Sequence, residues 1–414
     1  MALAGAAVAV FGLAIGGWLF FVRRTHVLKE KDTIVLADFT NTTGDSVFDG
    51  ALRQGLAVQL EQSPFLSFVS DKRIEQTLRL MGQPPDTRLT PDIAREVCQR
   101  TGSAAALDGS IAQVGTQYSL ILKAVNCSSG ESLASAEAQA GDKNHVLDAL
   151  GKVASAIRNK LGESLRTVLK FDTPLAQTTT PSLEALQAYS LGRTMINHKT
   201  DYAAALPFFQ RAIRLDTNFA MAYAALGVGY STLGETIQAA ENTRKAYELR
   251  EHVSEREKLY IESQYCELVT GDLEKARQVY ELWGQTYPRD DIPPTNLGVI
   301  YRNLGQYDKT LLEAREALRL DPDALNYANV VRSCVYLNRL EEAQATAEET
   351  QAKSLDSPRL RLRLYPVAFL QGDAAGMAQQ VAWAAGKPGV EDLFLYTEAD
   401  TAAYFGRRGK AREL

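Results

Sequence analysis

The sequence predicts an α+β protein: an N-terminal transmembrane helix, a small α/β domain with a mixed sheet, then an all-α repeat superhelix. Three observations predict it. Ala2 to Val22 is an uncharged, largely apolar run, strand and helix patterns alternate between residues 32 and 170, and small residues recur at a near-constant interval after residue 181. The expected boundaries are 1–24, 32–170 and 181–414, the last holding about six repeat units with the final one incomplete.

Residues 2–22 reach roughly 30 Å as a helix, enough to cross the hydrocarbon core of a bilayer. Trp18, Phe20 and Phe21, followed by Arg23 and Arg24, supply the aromatic and basic anchors of an interface. A cleaved signal peptide fits less well, because no basic region precedes the run and no small-x-small site follows it. Gly12 and Gly16 form a GxxxG pair, the pattern that allows close helix–helix approach and a homodimer. Gly and Ala are also simply common in membrane helices, and that plainer reading is slightly favoured. On the positive-inside rule Arg23, Arg24, Lys29 and Lys31 put the bulk of the chain in the cytoplasm.

In the α/β domain, Thr33 to Phe39 reads as a buried strand and Asn41 to Asp45 as a turn. Phe48, Leu52, Leu56, Val58 and Leu60 predict an amphipathic helix to about Gln62. Phe65 to Val69 reads as a second short strand, and Arg73 to Met81 as a helix broken at Gly82-Gln-Pro-Pro. Thr90-Pro91 opens a further helix that stops near Gly102. Alternating runs from Ala105 to Gln139 predict three strands, and Val146 to Leu161 a closing helix.

A strand ending in Asp38-Phe39-x-Asn41-x-x-Gly44-Asp45, a helix start Phe48-Asp-Gly-Ala-Leu52 and a Gly109-Ser110 strand before a hairpin resemble the N-terminal domain of TolB and its relatives. The wording is most similar to the segment after the membrane helix of bacterial receptor-type serine/threonine kinases. That resemblance implies a bacterial inner-membrane, single-pass protein with its soluble part outside the cytoplasm.

From residue 181 the small residues Ala205, Ala239, Ala276, Thr310 and Ala343 are spaced by 34, 37, 34 and 33. Leu191-Gly192, Leu226-Gly227 with Tyr230, and Leu297-Gly298 with Tyr301, Ala317 and Pro322 supply the helix contact, aromatic filler and closing positions of successive units. The longer gap of 37 predicts an insertion near Arg250 to Glu255. This pattern resembles the tetratricopeptide (TPR) repeat, a stacked helix pair of about 34 residues. The resemblance implies a concave face that binds a protein or peptide. Arg193, Asn197, Asn296, Tyr301 and Asn329 are candidates to face it, and plain solvent exposure is the alternative for each. The chain stops within a unit, with Gly409 resembling the turn and Ala411 opening a second helix.

Catalysis finds no support. A kinase needs a Gly-rich loop, a His-Arg-Asp catalytic loop and Asp-Phe-Gly, and none is present; other nucleotide, zinc-protease and hydrolase motifs are missing too. Net charge of −5 argues against nucleic-acid binding, and four scattered histidines against a zinc site; no cofactor is expected. The expected function is a non-catalytic, membrane-anchored protein-interaction module, the sensing or docking part of a receptor-type serine/threonine kinase without its kinase domain. The alternative is a free-standing repeat scaffold in envelope assembly. Cys98, near the end of one helix, and Cys127, at the end of a hairpin strand, reach one sheet edge. They are either a disulfide or two small residues filling separate gaps.

Overall fold

The computed structural model describes residues 28–29, 32–199 and 201–414. The transmembrane expectation for 2–22, with Gly12 and Gly16 as its dimer face, lies outside these residues. The single-pass inner-membrane placement is corrected: among the described residues no helix is long and apolar enough to cross a membrane. The longest of the described helices, Leu183–Lys199, has 17 residues and carries Glu184 and Arg193, whereas a span needs about 20 predominantly apolar residues.

The sheet is mixed. β1 (Ile34–Leu36) and β2 (Thr40–Asn41) pair parallel with β3 (Ala105–Val114), which runs antiparallel to β4 (Gln117–Asn126), itself antiparallel to β5 (Ser132–Ala140). The expected strand at Phe65–Val69 reduces to a single parallel bridge, Ile34 with Phe68. Helices α1 (Ala51–Glu61), α2 (Asp71–Leu80), α3 (Pro91–Thr101) and α4 (Val146–Lys160) follow their sequence signals. In α3, Thr90 caps the backbone N–H of Ile93, Pro91 sits in the first turn and Gly102 takes a left-handed φ of 69° to end it. Two short helices, α5 (Leu165–Lys170) and α6 (Leu175–Thr178), lead into the repeats.

The repeats are all helical: α7 (Leu183–Lys199), α8 (Tyr202–Leu215), α9 (Ala220–Thr232), α10 (Thr236–Glu248), α11 (Glu255–Tyr265), α12 (Leu273–Thr286), α13 (Ile292–Asn303), α14 (Tyr307–Leu320), α15 (Ala324–Tyr336), α16 (Leu340–Ala352), α17 (Pro358–Gln371), α18 (Ala374–Ala384), α19 (Glu391–Tyr404) and α20 (Arg408–Glu413). A left-handed residue ends the first helix of successive pairs at Gly234, Gly271, Gly305, Asn338, Gly372 and Gly406. The last turn is therefore at Gly406, three residues before the expected Gly409. The extra residues in the 37-residue gap lie in a 3₁₀ turn at Arg250–His252 and a π-helical turn at Cys266–Thr270. A π-turn accommodates an inserted residue without breaking the helix.

The chain divides into two compact units. The first holds the described residues from 28 to 69 and from 86 to 271, so the sheet and the first repeats are one body. Its core is continuous from Leu107, Leu120 and Leu122 on the sheet, through Leu56 and Leu150, to Leu186, Phe209 and Phe219 on the repeats. Gly55 on α1 permits this approach: a Cβ there would come within 2.9 Å of Leu175 and 3.2 Å of Leu186. The second unit holds residues 70–85 and 272–414, so α2 clusters with the later repeats. Its core includes Leu311, Val331, Cys334, Ala343, Leu360 and Leu364.

Candidate partner-binding surface

The residues of the repeat signature serve mainly packing. Ala205, Ala239, Ala276, Thr310 and Ala343 are all buried on the second helix of their pairs. Leu226, Leu297 and Tyr301 on first helices are buried too, as is Ala317 on α14. Gly192 faces the ring of Phe209, Gly227 faces Thr243 and the Ala239 carbonyl, and Gly298 lies against the Thr310 carbonyl. Leu191 departs from its counterparts at 40% exposure, against 3% for Leu226. Tyr230 is half-buried and its hydroxyl accepts from Gln210 at 3.0 Å; Pro322 is half-buried after the buried Asp321. Tyr301 donates its hydroxyl to Glu281 at 3.0 Å, which ties α13 to α12 rather than offering the hydroxyl to a ligand. Arg193, Asn197, Asn296 and Asn329 are half-buried.

The Asp-Phe-x-Asn-x-x-Gly-Asp line builds a turn. Asn41 donates to the Asp45 carbonyl at 2.9 Å and to Asp49 at 3.0 Å, while accepting from the Thr43 amide at 3.0 Å. Gly44 has a φ of +81°. Asp45 accepts from the Val47 amide and pairs with Lys143 at 2.9 Å, and the Lys143 hydrogen bond first, then the amide, holds its carboxyl below the usual range. Phe39 lies on Gly109, where a Cβ would come within 2.5 Å of its ring. Cys98 and Cys127 are joined by a disulfide, with their Cα atoms 5.9 Å apart. Arg95 and Gln99 on α3 both donate to the Cys127 carbonyl, at 3.1 and 2.7 Å.

Three further polar clusters were not read from sequence. A small pocket is lined by Asp108, Lys123, Arg95 and Asp92. Asp108 and Lys123 are directly opposite across β3 and β4, and burial raises the Asp108 carboxyl. In the second unit, Asp290, Asp291, Asp321 and Asp323 gather at the starts of α13 and α15. Burial first, then the neighbouring aspartates, pushes Asp291 up to about 7, and burial with Asp321 pushes Asp323 up to about 6. The Ser70 hydroxyl at the start of α2 bonds to Asp321. Among the described residues no group of three or more acids, histidines or cysteines is arranged to hold a metal ion.

The most unusual polar surface lies on the first helices of three successive pairs in the second unit. Arg302 on α13, Arg332 on α15 and Arg359 and Arg363 on α17 come within electrostatic reach of one another. Burial first, then Arg363 and Arg302, lowers the Arg332 guanidinium to about 10. Burial likewise lowers Arg363, opposed by Tyr336 and reinforced by Arg359 and Arg302. Arg332 Nε is buried without a hydrogen-bond partner among the described residues, while Nη2 donates to Asn329 at 3.0 Å. Arg302 reaches the Asn303 amide oxygen at 3.3 Å. Other arginines of these repeats are neutralised: Arg315 by Glu342, Arg319 by Glu316, Arg339 by Asp308 and Arg361 by Asp356. Among the described residues no carboxylate pairs with Arg302, Arg332, Arg359 or Arg363. Tyr336 is 42% exposed and packs on Tyr307 with ring centroids 5.2 Å apart.

Residues 295–324, which cover most of α13 and all of α14, match the tetratricopeptide repeat family. No curated protein matches the chain. Among solved structures, PilW, a widely conserved type IV pilus biogenesis factor, is 18% identical, with 50% of this chain and 96% of that one covered and a TM-score of 0.39. A thermophilic TPR protein of Thermus thermophilus, TTC0263, is 22% identical, covering 45% and 99%, with a TM-score of 0.36. The LpoB C-terminal domain from Salmonella enterica is 17% identical, covering 27% and 84%, with a TM-score of 0.26. Scores this low establish nothing by themselves; the repeat fold stands on the family match and on this chain's own helix pairs.

Proposed function

We propose that the chain is a non-catalytic protein-interaction module whose repeats present a binding surface on the first helices of their pairs. The observation that carries this reading is the recurrence of the helix pair, with its left-handed turn residue at near-constant spacing, around a repeat match at 295–324. Stacked pairs of this kind bury one face and leave the other as an extended surface. The finer form, a docking region of a receptor-type serine/threonine kinase, is supported by the resemblance of residues 33–52 and 109–110 quoted above.

The test is affinity capture with the full chain, followed by mass spectrometry and reciprocal capture with the protein found. A defined protein retained in both directions at fixed stoichiometry is the expected result. Phosphate transfer from ATP by the purified chain, lost on a single side-chain change, would overturn the reading. So would failure to retain any protein reciprocally.

A further inference from the structure

Four guanidinium groups brought together without a carboxylate are costly unless something neutralises them. Like charges in a partly desolvated site raise one another's energy, and a buried donor left unbonded costs about 1–3 kcal/mol more. Clusters of perturbed ionisable groups gather where ligands bind. We infer that Arg302, Arg332, Arg359 and Arg363, with Asn329 and Tyr336, form a docking site for an acidic segment of a partner protein. The inference rests on the interaction-module reading above and adds the chemistry of the partner.

The occupant follows from charge complementarity. Guanidinium groups bind carboxylates through paired, planar N–H donors, which a lysine patch does not offer. The arginines come from three helices of successive pairs. Several guanidinium groups offered by separate helices suit several carboxylates along a peptide better than one small anion. Arg332 Nε is the inner donor, and Asn329 fixes the same guanidinium through Nη2. Tyr336 supplies an apolar wall with a polar tip. The overall charge of −5 makes this local basic patch selective rather than generally adhesive.

Isothermal titration of the full chain tests it with two end-blocked decapeptides, one alternating Glu and Ser, the other Gln and Ser. The Glu peptide is expected to bind at least about tenfold more tightly, and to weaken as salt is raised. Replacing Arg332→Gln together with Arg363→Gln should cost about tenfold in that affinity without lowering the melting temperature. Arg332→Glu with Arg363→Glu should transfer the preference to a Lys–Ser peptide. Equal binding of the Glu and Gln peptides, or full affinity in the Gln variant, would overturn the inference. Tighter binding of single-stranded RNA or of inorganic phosphate at the same arginines would overturn it too. A protein captured equally well by the unaltered chain and the Gln variant would sink this site alone. Capture of no protein by either would sink the underlying reading.

Discussion

Arg158 and Glu163 form a fully buried, two-pronged ion pair, with Nε and Nη2 each 2.8 Å from a carboxylate oxygen. Ser63 donates a third bond to the same carboxylate at 2.7 Å, and Arg158 Nη1 lies 3.6 Å from Asp172. Asp172 in turn accepts from Gln59 at 2.7 Å and Ser155 at 2.6 Å. The pair thus joins the end of α4 to the end of α1 and to the segment leading into the repeats.

Breaking that pair from one side should be severe. Arg158→Met leaves Glu163 charged in a dry site, a change that typically costs about 3–5 kcal/mol. Arg158→Met with Glu163→Leu should cost clearly less, since well-packed apolar pairs replace buried ion pairs at little loss. Urea unfolding of both variants measures the difference; equal losses would show that the pair is not a coupled unit.

The helix contact in the first repeat makes a second prediction. A Cβ at Gly192 would come within 2.5 Å of the Phe209 ring, and Phe209 is wholly enclosed between Tyr189 and its neighbours. Gly192→Val should therefore overpack the contact and destabilise by about 1–3 kcal/mol. Gly234→Ala, at an exposed turn with a φ of +83°, has open space around it and is opposed by backbone strain alone. Thermal melts should place Gly192→Val well below Gly234→Ala; the reverse order would contradict the packing described.

Much of the fold was legible because it repeats. Ala205 through Ala343 recur where each second helix needs a small buried residue, and steric demand at a helix crossing reads directly as residue size. The left-handed series from Gly234 to Gly406 is a still more regular signal; reading it would have placed the final turn correctly. The arginine surface was not legible. Arg302, Arg332 and Arg363 sit on separate helices in a sequence full of paired arginines, and stacking alone distinguishes them. The affiliation of α2 was hidden for a similar reason: Ile74 and Leu78 declare a buried face, but not which elements cover it. The transmembrane expectation rested on hydropathy in residues outside the described ones.

The Cys98–Cys127 bond closes a loop with a sequence separation of 29, between the end of α3 and the end of β4. On the chain-entropy account a loop of this size contributes about 3–4 kcal/mol by restricting the unfolded chain. Cys98→Ser with Cys127→Ser should lose that amount, while Cys266 and Cys334, both buried thiols, should be unaffected by mild oxidant. Mass mapping without reductant, paired with denaturant unfolding before and after reduction, checks both points. Free thiols at 98 and 127 in the native protein would remove the basis for the stability difference.

The aspartates at the starts of α13 and α15 should make the second unit more stable in mild acid. Burial, reinforced by Asp290, Asp321 and Asp323, raises the folded Asp291 carboxyl to about 7 from a usual value of 3.8. Asp323 is raised to about 6, by burial and Asp321, against the opposing charge of Lys72. Asp321 is raised by burial too, offset by its bond to Ser70 and by Arg73 and Lys72. Between the unfolded and folded values the native state holds more protons, so stability falls as pH rises through that window. The contribution is complete below about 4 and lost as pH passes through the folded value. Asp291 makes no side-chain capping bond to α13, so Asp291→Asn removes the charge without removing a cap. The variant should melt about 2–4 °C higher than the unaltered chain at pH 8, and the gap should close towards pH 5. Melting curves at pH 5, 6, 7 and 8 measure it, and parallel pH profiles for the two proteins would show that Asp291 is not a source of the dependence.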